Sequence, residues 1–201
     1  MKNIRPKLIG IILLFSVVNA GAQFKISRLP KIPVTNNDLR LNLQKIIADF
    51  PNQLSSLRGD TLEINPQTIE FASLLDFDMA PQNSIMEFRS LQPRYSWQAM
   101  MINTEDFEEA SKKYNWLYKQ LKVMTITLDG GYTFSLNGNY EAPDDSRGFC
   151  SSVFKLTPNA VNMPKLKIEV LMDYQFPEWK VSLLVYEKER EDKERGDIEG
   201  D

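Results

Sequence analysis

Two runs near the end of the chain, Leu166 to Tyr174 and Trp179 to Tyr186, alternate apolar and polar residues with a period of two. Successive side chains of a strand point to opposite faces, so Leu166, Ile168, Val170 and Met172 share one face, as do Trp179, Val181, Leu183 and Val185. Pro177 marks a turn between the runs. Two half-buried strands in succession call for an antiparallel sheet with one covered face, and for apolar segments elsewhere in the chain to cover it.

Two segments have the period of a covering helix. Thr35-Asn36-Asn37-Asp38 can cap a helix N-terminus, and Leu39, Leu43, Ile46, Ile47, Phe50, Leu54 and Leu57 follow at helical spacing. Pro51 should bend or split that helix, and Gly59 is expected to end it. From Thr104 a second helix is predicted, with Phe107, Ala110, Tyr114, Leu117 and Leu121 repeating every three or four residues. Acids crowd its first turns and lysines follow, which suits the helix dipole and supplies pairs four residues apart.

The other segments read as strands: Leu62 to Leu74 broken by Pro66, Ser84 to Arg89, Tyr95 to Ile102, Val123 to Leu128, Tyr132 to Leu136 and Phe149 to Leu156. Turns are expected at Asp129-Gly130-Gly131 and at Asn137-Gly138. The fold predicted is α+β, with two helices packed on one face of a mainly antiparallel sheet. Each half runs from a capped helix through strands to a proline turn and a Trp-bearing strand, the pattern of a duplicated αβββ unit.

The ends of the chain differ from its body. Lys2, Arg5 and Lys7 precede an apolar stretch from Leu8 to Val18, and Ala20-Gly21-Ala22 follows. This order predicts a signal peptide over residues 1–22, its apolar part shorter than the ~20 residues that span a bilayer. The mature chain is then exported, periplasmic or secreted, with no membrane insertion after cleavage. Residues 23–34 read as extended and 35–186 as a single α+β domain. Residues 187–201 (EKEREDKERGDIEGD) hold eight acids against four bases, too polar for a core and expected to be a disordered charged tail. With +3 in the leader and −4 in the tail, the −3 of the whole chain leaves the body near −2. Such a body lacks the basic stripe that nucleic acid requires, so no nucleic-acid partner is expected.

Chemistry is constrained by the complete absence of histidine. Ser-His-Asp and Cys-His nucleophile pairs and histidine metal ligands are excluded, and no zinc or other cofactor is expected. The single cysteine, Cys150, sits in a strand-like run and reads as a small core residue. Ser152-Val153-Phe154-Lys155 has the Ser-x-x-Lys spacing of penicillin-binding enzymes, but on a strand Ser152 and Lys155 face opposite sides. Asp76 with Asp78 and Asp144 with Asp145 are carboxylate pairs that could serve a carboxylate-based hydrolase or a calcium-dependent carbohydrate binder. Aromatics lie mostly on predicted apolar faces. Trp116 and Tyr118 flank the inward stripe of the second helix, which leaves one of them available to a partner. The expected function is accordingly non-enzymatic: binding of another envelope protein, through the open sheet face or the second helix.

Overall fold

The computed structural model describes residues 36–80 and 82–187. The expected leader, the extended segment and the tail beyond Glu187 lie outside the described residues. Helix α1 (Asn36–Asp49) precedes β1 (Arg58–Ile64), β2 (Thr68–Ser73), β3 (Gln82–Phe88) and β4 (Arg94–Thr104). Helix α2 (Phe107–Lys122) precedes β5 (Thr125–Thr127), β6 (Thr133–Gly138), β7 (Phe149–Thr157), β8 (Leu166–Gln175) and β9 (Glu178–Glu187). All nine strands form one sheet in the order β1-β2-β3-β4-β9-β8-β7-β6-β5, antiparallel throughout. The fold is mixed α+β and mostly sheet. Each half is one helix followed by a meander, and the meanders join where β4 pairs with β9 from Ser96↔Tyr186 to Thr104↔Trp179.

The alternation of β8 and β9 sets the core. Leu166, Ile168, Val170 and Met172 are buried beside Trp179, Val181, Leu183 and Val185. The register Ile168↔Val185, Val170↔Leu183, Met172↔Val181 places these residues side by side on one face. Leu39, Leu43, Ile46 and Ile47 of α1 and Ala110, Tyr114, Leu117 and Leu121 of α2 belong to the same buried cluster, so both helices cover this face. Burying one Leu or Ile side chain contributes about 2 kcal/mol, and this cluster provides most of the drive for folding.

Three local expectations need correction. The first helix ends at Asp49 instead of continuing to Gly59, because Pro51 lacks the amide an α-helix interior needs and sits in a 3-10 turn, Phe50–Asn52. Gln53 and Leu54 then reverse the chain at φ 58° and 55°, and the Asp49 carboxylate accepts from the Ser56 amide at 2.9 Å. Gly59 lies inside β1, where a Cβ would stand 3.0 Å from Leu74 and 3.1 Å from the Ala72 carbonyl. Second, the strand expected to begin at Leu62 begins at Arg58; the break at Pro66 separates β1 from β2, a hairpin closed by Asn65 N–H donating to Thr68 O at 2.8 Å. Third, Asn137-Gly138 is no turn. Both residues pair with β7, and a Cβ at Gly138 would stand 2.7 Å from the Phe154 ring and from the Val153 carbonyl. The Asp129-Gly130-Gly131 turn is present, with both glycines at positive φ, 85° and 79°.

Candidate binding surface

With both helices on one face, the opposite alternation of every central strand forms a second surface. Across it run Ala72↔Ser84↔Gln98↔Leu184↔Glu169↔Val153, and beside that row Gln82↔Met100↔Ser182↔Leu171↔Ser151. Ser84 is buried, while Met100, Leu171 and Leu184 are half-buried. This surface carries an open hollow of about 560 Å³. Side chains of six strands, consecutive in sheet order from β1 to β8, line it, so twist and coil curve the face inward. Glu70 of β2 stands among the lining residues on one side and Lys180 of β9 on the other. Gln82, Ser84, Gln98, Gln175 and Ser182 add uncharged polar groups, and Leu62 and Met100 add apolar ones. Internal bonds hold part of this lining in place: Gln98 Nε2 donates to Ser84 Oγ at 3.1 Å, and Lys180 Nζ donates to Gln175 Oε1 at 2.7 Å.

Trp116 and Tyr118 are both half-buried and packed against the core. Neither is fully exposed. Trp116 has the Lys113 ammonium 5.3 Å above its ring, and burial lowers the Lys113 pKa. Tyr118 lies in a ring cluster, 4.8 Å from Tyr140 and 5.4 Å from Phe154, and its hydroxyl donates to Gly138 O at 3.4 Å. The residues from 139 to 148, between β6 and β7, run beside the helix: Tyr140 donates to Asn115 of α2 and stacks toward Tyr114.

The carboxylate pairs stay apart. Asp76 and Asp78 lie between β2 and β3, Asp144 and Asp145 between β6 and β7, and β4, β9 and β8 intervene in the sheet. Among the described residues no three Cys, Asp or Glu side chains gather as metal ligands. Asp144 accepts from the Ser146 amide at 3.0 Å and hydroxyl at 2.7 Å, and these bonds hold its carboxyl below the usual range. Such a carboxylate shapes its own turn.

Ser152 and Lys155 do face opposite sides, Ser152 buried and Lys155 exposed. Ser152 Oγ lies 2.7 Å from Tyr114 Oη and accepts from the Glu141 amide at 3.2 Å. Glu141 in turn accepts from the Ser151 amide at 3.1 Å and pairs with Arg147 at 2.7 Å. Burial pushes the Tyr114 phenol well above its ordinary value, so at neutral pH it stays protonated and is no base for Ser152. Cys150 is buried beside them, and desolvation raises its thiol from 9.0 to about 11. A protonated, enclosed thiol is a poor nucleophile. This group closes a loop over the core, with Tyr114, Cys150 and Ser152 all buried.

The apolar residues of the open face are not singled out by the sequence reading, although a signal for them exists. Met86, Met100, Leu171 and Leu184 are large apolar residues at the polar positions of alternating strands. Apolar side chains on the side that ought to be solvated mark a surface available for contact. Compared with known proteins, the chain matches no family model, no curated protein and no solved structure.

Proposed function

We propose that this chain is an exported, non-catalytic module that docks another envelope protein on the open face of its sheet. The observation that carries the reading is the face opposite the helices, where half-buried apolar Met100, Leu171 and Leu184 stand among serines and glutamines, and where Met100 with Gln82, Ser84, Gln98 and Ser182 lines a hollow of about 560 Å³. Mixed lining of this kind, with few charges at its centre, matches the composition of transient protein interfaces. Export rests on the N-terminal pattern of basic head, short apolar stretch and small residues, and the absence of histidine removes the commonest catalytic bases. The two halves, a helix with four strands and a helix with five where the sequence pattern predicts an αβββ unit, are read as a duplication, supported by the mirrored strand order about the β4–β9 pair. The docking reading is tested by comparing wild type with Met100→Glu in affinity capture from envelope extract. A partner held by wild type and lost by the variant, at unchanged melting temperature, is expected. Substrate turnover by the purified chain that disappears when a carboxylate is substituted would overturn it.

A further inference from the structure

The open-face hollow carries an ordered set of groups. Glu70 is on β2 and Lys180 on β9, with β3 and β4 between them in the sheet. Glu70 is level with Met86, Ser96 and Tyr186 in successive registers, and Lys180 lies six residues before Tyr186 along β9. The acid and the base are therefore displaced both across and along the sheet. Between them the lining is amide and hydroxyl (Gln82, Ser84, Gln98, Ser182) with Met100. The volume, about 560 Å³, falls among ligand sites of roughly 300–1,000 Å³.

We infer that the hollow receives a peptide segment that brings a cationic group to Glu70 and an anionic group to Lys180, with its backbone amides against the glutamines and serines between. This inference rests on the docking reading above and specifies what is docked. Charge complementarity distinguishes the occupant: a neutral sugar brings hydroxyls but no charge to the two ends, and a polyanion meets Glu70 unfavourably. Backbone amides both donate and accept, as do the Gln and Ser side chains.

The test is selection of a displayed library of random linear peptides of about nine residues, ~3.3 Å each when extended, on the full chain. Hydrogen exchange then locates the footprint. The expected result is enrichment of peptides with one basic and one acidic residue at a fixed spacing, with protection in β3, β4 and β9. Reversing both ends, Glu70→Lys with Lys180→Glu, should weaken these peptides roughly tenfold, as expected for two ion pairs turned repulsive, and restore binding when the peptide charges are exchanged. No enrichment, enriched peptides without the charge pair, or a footprint elsewhere overturns the inference. If peptides fail while Met100→Glu still abolishes partner capture, only the occupant is wrong. If Met100→Glu also leaves capture intact, docking on this face fails with it.

Discussion

Gly138 shows how a single residue can be held by its neighbours instead of by its own conformational preference. It is a strand residue opposite Phe154, and the space a side chain would take is filled by the Phe154 ring and the Val153 carbonyl, both 2.7 Å from where a Cβ would stand. Gly138→Ala is expected to destabilise by about 1–3 kcal/mol, the usual cost of overpacking, read as a lowered urea midpoint. Cys150 gives a pH signature. Its folded pKa, about 11, lies above the ordinary 9.0, so above pH 9 the unfolded chain releases a proton that the folded chain retains. Stability from this group is present below pH 9 and lost as pH rises toward 11. Tyr114, also raised by burial, adds in the same direction above pH 10. Melting temperature should fall between pH 9 and 11, and Cys150→Ala should flatten the fall. A thiol reagent at pH 8 should label Cys150 at the rate of unfolding rather than at the rate of a free thiol.

At the scale of elements, α2 is specified by its ends as well as by its stripe. The Asp106 carboxylate accepts from the Glu108 amide at 2.8 Å and the Glu109 amide at 3.3 Å, and Lys119 and Lys122 occupy the last turn. Asp106→Ala should cost about 1 kcal/mol in chemical denaturation, the ordinary value of an N-cap. The two faces of β9 provide a sharper contrast. Leu183 is fully buried under the helices, whereas Leu184 is half-buried on the open face. Leu183→Ala should cost about 2–5 kcal/mol and Leu184→Ala no more than about 1 kcal/mol. Equal losses in a denaturation experiment would mean that the open face is covered in the folded chain. The edges of the sheet are blunted differently: β5 has three residues, while β1 carries register shifts along with Asp60 and Glu63. Short, irregular or charged edges resist unwanted strand pairing.

For the whole molecule, the seam between β4 and β9 makes two meanders into one sheet, and a single buried cluster spans both halves. Unfolding should therefore be one transition. Melts followed by far-UV circular dichroism and by tryptophan fluorescence should coincide, since Trp97 belongs to the first half and Trp116 and Trp179 to the second. Separate midpoints would show halves that unfold independently. Residue order alone specifies the elements whose pattern is local: the stripe and cap of α2, the alternation of β8 and β9, the glycine turn after β5, and the inward position of Cys150. It also locates Ser152 and Lys155 on opposite faces, because a strand alternates wherever it lies. It misjudges Gly59 and Gly138, since a glycine required by a neighbour's close approach reads the same as one that ends a helix or makes a turn. Helical periodicity does not register Tyr140, which reaches Tyr118 from the loop between β6 and β7. Strand order and the curved open face arise only when the chain is folded. Glu70 and Lys180 lie 110 positions apart in the chain and line one hollow through hydrogen-bonded strand registers, which no local pattern encodes.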